Sequence, residues 1–311
     1  MKDLIGKKVL VIGGAGFIGS HIVDRLVRIN EVMVYDNLST GVIENLVKSQ
    51  KDITFIKGDI LDKDFIKSVV KDKDYVFHLA ASVGNIRSIK DIKYDMETNI
   101  IGTLNILEAC KESNIQRLIY SSSAAIYGES KYLPIDENHP INPESPYAVS
   151  KLAAEKYVIN YGKLYNIPVV ALRYFNAYGV RQDTSEYANA VSIFMRKFAE
   201  RKPIIVYGDG EQTRDFVCVY DIVVANLLAA TNKEAVGQIF NIATGEPETI
   251  NNLVRIIQKI SEWHGEIKYE PFRLGEMKHS QSDISKAKKI LGFNPSIQLE
   301  EGIRLTWSAY G

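Results

Sequence analysis

The sequence predicts an α/β protein, a doubly wound parallel sheet completed by a smaller α/β lobe. Three observations carry that prediction. Residues 1–175 alternate six short apolar runs with helical patterns, as parallel strands covered by helices on both faces do. The first run, 9–12, is followed by glycines at 13, 16 and 19 and then by a helical pattern, so strand, tight turn and helix come in direct succession. After residue 175 the pattern turns irregular, with small elements and basic loops, as expected of a lid. The expected division is 1–175, with 216–243 returning to it, as the sheet domain, and 176–215 with 244–311 as the smaller one.

At 311 residues the chain can bury a large core. Apolar residues make up 46% and charged residues 24%, ordinary globular usage. Lys plus Arg equals Asp plus Glu at 38 each, so no bulk field directs the chain to nucleic acid or a membrane surface. No apolar run approaches a membrane span. Residues 1–8 are charged, lead straight into the first strand and do not read as a signal peptide. Cys110 and Cys218 lie in apolar stretches and read as buried thiols in a reducing cytosol, which makes a cytoplasmic location the expectation.

Taken in order, the first strand (9–12) gives way to Gly13 and Gly14, which allow the turn. Gly16 lets a backbone approach a pyrophosphate, and Gly19 lets the helix pack close to the strand. The first helix, 17–28, then offers the N–H groups of Phe17, Ile18 and Gly19, with its positive dipole end, to phosphates. The second strand, 32–35, ends in Asp36-Asn37. An acid at that place accepts the ribose hydroxyls of NAD and repels the 2′-phosphate of NADP. A plain Asp-Asn turn is the alternative. The third strand, 53–56, ends in Gly58-Asp59-Ile60, where Asp59 and Ile60 are placed to meet an adenine or simply to turn the chain.

A fourth strand, 75–81, ends in Leu79-Ala80-Ala81, small enough for a flat ligand to lie against. A helix over 98–113 and a fifth strand over 117–121 follow, the strand running into Ser121-Ser122-Ser123. A Pro-rich and acidic loop (134–146) precedes a strong helix over 147–165. Tyr147 and Lys151 are four apart, hence on one face. An ammonium beside a phenol favours the phenolate and makes it a base. Tyr127 with Lys131 repeats the spacing but is followed by Gly128 and Pro134, so it reads as a decoy. A sixth strand, 169–174, leads into Phe175-Asn176.

In the later half come a helix near 189–200, a strand at 204–207, and the loop Gly208-Asp209-Gly210-Glu211-Gln212-Thr213-Arg214. That loop either grips a diphosphate through the planar fork of Arg214 or is a polar hairpin tip. Elements at 221–231, 238–242, 249–263, 266–269 and 283–291 complete the expectation, with a second Arg-bearing loop at 271–280. The five histidines have no metal-ligand spacing, and no Lys of a P-loop follows the glycines, so neither a zinc site nor ATP hydrolysis is supported.

Together G-G-A-G-F-I-G-S-H, Y-D-N-L, H-L-A-A, S-S-S-A-A-I-Y-G, P-Y-A-V-S-K, R-Y-F-N and G-D-G-E-Q-T-R-D-F-V span nearly the whole chain. In this order they resemble the extended short-chain dehydrogenase/reductase superfamily, built on a Rossmann sheet, and within it the UDP-glucose (UDP-galactose) 4-epimerase family. The resemblance implies Tyr147 as base, Lys151 as the group that lowers its pKa and holds the nicotinamide ribose, and Ser123 on the sugar 4-hydroxyl. It implies Asn99, Ser121 and Tyr174 at the NAD cofactor, Asn176, Arg214 and Arg273 on the UDP portion, and Glu276 near the uridine ribose. Related 4,6-dehydratases carry an acid pair where this chain has Ser121-Ser122-Ser123-Ala124, which favours epimerisation through a transient 4-keto sugar.

Two departures bear on substrate. Glu276 stands where the family has Asp. Ser280 matches a position that is Tyr in epimerases restricted to plain hexoses and small in those accepting N-acetylated sugars, and the stretch from Val180 to Asp183 is similar to the latter group. UDP-GlcNAc and UDP-GalNAc are therefore expected alongside UDP-glucose and UDP-galactose. The alternatives are a 4-epimerase of UDP-glucuronate or a UDP-pentose, with Arg87 as the basic group near C6, another reductase or decarboxylase of the superfamily, and a non-catalytic nucleotide-binding regulator. The intact Ser123, Tyr147 and Lys151 set speaks against the last. The resemblance also implies a homodimer through helices 98–113 and 147–165, although Ile100, Leu104, Leu107, Leu152 and Val158 suit a monomer core equally.

Overall fold

The computed structural model describes residues 4–182, 189–272 and 277–310. The strands are β1 (Lys8–Ile12), β2 (Glu31–Asp36), β3 (Ile53–Lys57), β4 (Tyr75–His78), β5 (Arg117–Ser123), β6 (Val169–Tyr174), β7 (Asn176–Tyr178), β8 (Ile204–Tyr207), β9 (Thr213–Arg214), β10 (Phe216–Cys218), β11 (Ile239–Ile242), β12 (Glu248–Thr249) and β13 (Ile267–Glu270). The helices are α1 (Phe17–Leu26), α2 (Lys63–Val70), α3 (Asn85–Lys90), α4 (Ile92–Met96), α5 (Gly102–Lys111), α6 (Pro146–Tyr165), α7 (Ala190–Ala199), α8 (Val219–Thr231), α9 (Ile250–Ser261) and α10 (Leu299–Trp307).

Seven strands form one sheet in the order β11-β6-β5-β4-β1-β2-β3, every pair parallel. Strands buried on both faces explain the unbroken apolar runs of β1 and β6. Helices α1 and α8 pack one face around Val11, Phe77 and Leu172. Helices α2, α5 and α6 pack the other around Leu10, Val76 and Leu118. The chain leaves β1 on one side towards β2 and β3 and returns on its other side as β4, so β1 and β4 flank the point where strand order reverses. Ligands of such sheets bind outside the carboxyl ends of the strands at that point. A third core, around Phe194, Met195, Leu253 and Ile257, joins α7 and α9 to β8 and β10.

Several boundaries differ from the sequence expectation, each for a physical reason. The fourth strand stops at His78, because the N–H groups of Leu79 and Ala80 both turn onto the Ile12 carbonyl, at 2.8 and 3.0 Å. The helix expected from 98 begins earlier, as α4, and passes through a π-helical stretch at Glu97–Ile101 before α5. The missed helices α3 and α4 expose Ile86, Ile89 and Ile92, so their apolar residues do not mark a core-facing stripe. Helix α2, also missed, starts at Asp62, whose side chain accepts from Phe65 N at 3.0 Å. Helix α10 lies beyond the last element expected. Among the described residues, no helix is long and apolar enough to cross a membrane.

Candidate active site

The glycine loop closes on itself and on β4. Gly13 has φ +80°, and a Cβ there would stand 2.5 Å from Ala80 N; one at Gly19 would stand 2.2 Å from Gly13 O. Gly16 differs, since a Cβ there would meet Gly13 O alone, at 3.3 Å, and otherwise project into open space. Gly16 is also the N-cap of α1 and brings no side chain to cap it. The first-turn N–H groups of Phe17, Ile18 and Gly19 therefore meet no capping side chain. Gly19→Ala is expected to lower both NAD affinity and the thermal midpoint, since helix and loop must separate to admit the methyl. Unchanged NAD binding by fluorescence titration would contradict this.

Asp36 accepts from Ala15 N at 2.9 Å and from Leu38 N at 2.8 Å, so each oxygen is held by one main-chain donor. Burial pushes its carboxyl up, and these two bonds work against that. A carboxylate offers about four lone-pair sites, which leaves room for two ribose hydroxyls. Asn37 donates to Asp59 Oδ2 at 2.8 Å, and Leu61 N donates to Asp59 Oδ1 at 2.9 Å, making one polar rim. The Ile60 side chain is buried against Gly102, and its carbonyl accepts from Asn105 Nδ2 at 3.0 Å. These residues fit a dinucleotide: a tight loop with an open face at Gly16, uncapped N–H groups, and a fixed carboxylate beyond them.

Two expected cofactor residues are placed otherwise. The Asn99 side chain accepts from Ser82 N at 2.9 Å and donates to Ser82 O, Asp95 Oδ1 and Ser150 Oγ at 3.0, 3.1 and 2.9 Å. It organises the turn after β4, with its amide spent on protein. Tyr174 is turned into the core beneath the sheet, its hydroxyl donating to Asn226 Oδ1 at 3.0 Å. Both look like ligands in sequence because they flank ligand-facing residues.

Helix α6 is started by Ser145, which accepts from Ala148 N at 3.1 Å, and by Pro146 in its first turn. That places Tyr147 at the helix mouth, over the end of β5. The Ser123 side chain acts on the Tyr147 phenol, holding it down against burial. Lys151 is buried, its Nζ donating to Ser121 O at 2.5 Å and lying 4.5 Å from the centre of the Tyr120 ring. Burial pushes the Tyr147 phenol up to about 12, against the Ser123 side chain, and the Asp95 charge adds to the rise. Burial likewise pushes Lys151 down to about 7, with Glu155 and Asp95 pulling it back up. In the chain by itself burial dominates the Tyr147 phenol, and the Lys151 ammonium is aimed at the Ser121 carbonyl. The decoy is structural: the Tyr127 hydroxyl is buried and donates to Asn241 Oδ1 at 2.7 Å.

Below Lys151 lies His78, whose Nε2 meets Thr103 Oγ1 at 2.9 Å while its buried Nδ1 has no partner among the described residues. Burial, then the Lys151 charge, push it from 6.5 down to about 3. Above pH 6.5 the imidazole is neutral folded and unfolded, so it costs nothing; as pH falls from 6.5 towards 3 the unfolded chain binds the proton first and stability is lost. His78→Leu is expected to flatten that loss between pH 6.5 and about 4, read by urea unfolding at each pH.

A cavity of about 560 Å³ is lined by Ala125 and Ser145, two residues along the chain from Ser123 and Tyr147 respectively, and by Asn85, Glu144, Arg214, Lys197, Tyr207 and Ile205. Asn176 and Arg214 line it as expected. Ser280 is 3% exposed, its N–H donating to Thr213 O, and Met277 is the described residue of that loop that lines the cavity. Arg273, Glu276 and Asp183 lie outside the described residues. Arg87, proposed to meet a sugar carboxylate, sits on α3 and is not among the lining residues. Sequence reasoning missed Asn85, Asn189, Tyr207 and Glu144. Of these only Tyr207 had a signal, at the end of a strand just before the Gly208 loop.

An α/β sheet with a glycine-loop dinucleotide cradle and a Ser-Tyr-Lys cluster at its carboxyl edge defines a nucleotide-cofactor enzyme class. The chain belongs to the NAD dependent epimerase/dehydratase family, whose model matches residues 9–243. It is 36% identical to the UDP-glucose 4-epimerase of Mycolicibacterium smegmatis, over 96% of this chain and 97% of that one. It is 41% identical to the solved UDP-N-acetylglucosamine 4-epimerase of Methanobrevibacter ruminantium M1 in complex with UDP-N-acetylmuramic acid, with a TM-score of 0.94 over 98% of each chain. It is 33% identical to the UDP-Glucuronic acid 4-epimerase of Bacillus cereus, solved with UDP-Glucuronic acid and NAD, with a TM-score of 0.90 over 97% of this chain and 98% of that one.

Proposed function

We propose that the chain is an NAD-dependent 4-epimerase of UDP-sugars, acting on UDP-glucose and UDP-galactose and on their N-acetylamino counterparts. The observation that carries this is the clustering of Ser123 at the carboxyl end of β5 with Tyr147 and Lys151 at the start of α6, where Lys151 Nζ donates to Ser121 O, together with a cavity whose wall holds Arg214. NAD supplies a hydride acceptor that returns the hydride, so C4 passes through a ketone and regains hydrogen on its other face. Tyr147 takes the O4 proton and gives it back. Ser123 orients the sugar 4-oxygen. Arg214, with Asn176, holds the diphosphate. No carboxylate stands at Ser121–Ala124 to expel water from the ketone.

A second reading, a UDP-glucuronate 4-epimerase or decarboxylase, draws on the likeness to the Bacillus cereus enzyme and begins with the same C4 oxidation. The lining holds the Glu144 carboxylate and the cations Lys197 and Arg214, so the substrate assay decides between the two readings. Purified protein would be incubated with UDP-galactose, UDP-N-acetylgalactosamine and UDP-glucuronate, without added reductant, and followed by NMR of the anomeric protons. Conversion of the first two to their 4-epimers is expected. Conversion of UDP-glucuronate alone would replace this reading with the second. Ser280→Tyr is expected to suppress turnover of the N-acetylated substrate more than of the plain one; equal losses would show that position 280 does not set the preference.

We also propose a homodimer. Helices α3 and α4 expose Ile86, Ile89 and Ile92, and α6 exposes Val149, Tyr157 and Leu164. Leu107 and Val158, two residues considered for that interface, are fully buried in the monomer core. Light scattering should give twice the chain mass, and Ile92→Asp with Tyr157→Asp should halve it.

A further inference from the structure

Beneath the Ser-Tyr-Lys cluster lies a second polar network that the proposed chemistry does not use. Glu155 has no exposed surface and Arg173 almost none. Arg173 Nη2 donates to Glu155 Oε1 at 2.7 Å and its Nε donates to Oε2 at 2.9 Å, a two-point grip. Glu155 Oε2 also accepts from Ser122 Oγ at 2.6 Å. Arg173 Nη1 donates to the Tyr127 hydroxyl at 2.7 Å and to Glu137 O at 3.3 Å. Each oxygen of Glu155 is thus engaged inside the protein, so it is no ligand.

Its place in the chain is what matters. Glu155 follows Lys151 by four residues and Tyr147 by eight, so the three lie along one side of α6. Ser122 stands between Ser121, whose carbonyl takes the Lys151 ammonium, and Ser123, whose side chain acts on the Tyr147 phenol. We propose that Glu155 is a positioning residue for the C4 chemistry: by holding Ser122 it fixes the sliding position of α6 along β5, and it sets a negative charge one helical turn from Lys151. This inference rests on the reading of Tyr147 and Lys151 given above.

The physical case has two parts. A proton transfer needs its oxygens within hydrogen-bond reach, and a misplacement of about 1 Å can cost on the order of 10²-fold in rate. Glu155 ties helix to strand beneath the reacting groups, and Arg173 on β6 keeps its rotamer fixed. The second part is charge. Lys151 faces Glu155 and Tyr147 on its own helix, Asp95 from α4, Tyr120 from β5 and the neutral His78 from β4. Glu155 and Asp95 are the two groups that hold it towards the ammonium, and Arg173 offsets part of the Glu155 charge. Removing the Glu155 charge therefore moves the Lys151 ionisation to lower pH.

The test compares Glu155→Gln, Glu155→Asp and Ser122→Ala with the parent chain. Glu155→Gln keeps the shape and an acceptor for Ser122 and loses the charge. It is expected to lower the alkaline limb of the kcat–pH profile by about half a pH unit or more, with KM little changed. Glu155→Asp, which keeps the charge and shortens the reach, should leave that limb in place and lower kcat. Ser122→Ala, which cuts the tie without touching any charge, should lower kcat about tenfold with the limb unmoved. An NMR titration of isotope-labelled lysine Cε, with the Lys151 signal assigned by its loss in Lys151→Arg, reads the charge effect without turnover. A Lys151 titration unmoved in Glu155→Gln, or full kcat in Ser122→Ala, would overturn the inference while the epimerase reading stands. No turnover of any UDP-sugar by the parent chain would overturn the reading instead, and the titration would still decide the charge effect.

Discussion

Tyr147→Phe is expected to lower kcat for 4-epimerisation by about 10²–10⁴-fold, the usual contribution of a positioned proton-transfer group. The ring, which supplies the packing at the mouth of α6, is retained. The lost oxygen is the one on which the Ser123 side chain acts, and Ser123 keeps its bond from Ala125 N at 3.2 Å. The thermal midpoint should therefore move little, and KM should change less than kcat, because Arg214 and Asn176, proposed above to hold the diphosphate, are untouched. Single-turnover reduction of bound NAD by UDP-galactose reports C4 oxidation alone and should fall in parallel with kcat. A variant that retained most of the parent rate would move the base to another group and remove the central claim about this site.

The sheet and its cofactor edge were legible in the sequence because their signals are local. A four-residue apolar run, three spaced glycines and Asp36 lie within one βαβ unit, and the physics that places them acts over the same short distance. Tyr147 was legible for the same reason: Ser145 and Pro146 start the helix immediately before it. The return of Ile239–Ile242 to the sheet edge beside β6 was anticipated from an apolar run alone.

What was not legible is whatever depends on partners far apart in the chain. The cavity wall draws on residues from Asn85 to Met277, in segments that carry no common spacing. The setting of Asn99 was not legible either, because its three donor contacts and one acceptor contact come from Ser82, Asp95 and Ser150. The burial that raises the Tyr147 phenol was also beyond reach, since helical spacing shows proximity but not burial. The apolar residues of α3 and α4 broke the expected pattern because they face outwards, as residues kept for another surface do.

The largest expected effect on stability lies at Arg173. Its guanidinium is 2% exposed and Glu155 is fully buried, so the pair sits where an unpaired charge is poorly solvated. Arg173→Met is expected to cost about 3–5 kcal/mol, because it leaves the Glu155 carboxylate buried without its counter-ion. The Tyr127 hydroxyl keeps its acceptor on Asn241, so the carboxylate rather than the phenol bears the loss. That assignment makes a second expectation. Adding Glu155→Leu to Arg173→Met should recover much of the lost stability, since replacing both partners removes the unpaired charge. Recovery should stop short by about 1–3 kcal/mol, the cost of the Ser122 hydroxyl left without an acceptor. Urea unfolding of the parent, the two single variants and the double variant closes a cycle that reads the coupling directly. If the double variant were as unstable as the sum of the singles, packing rather than charge would hold this corner together. The double variant also separates stability from chemistry, since a chain that regains its fold and lacks Glu155 should still show low kcat if the tie to Ser122 is what aligns Tyr147 with Ser123.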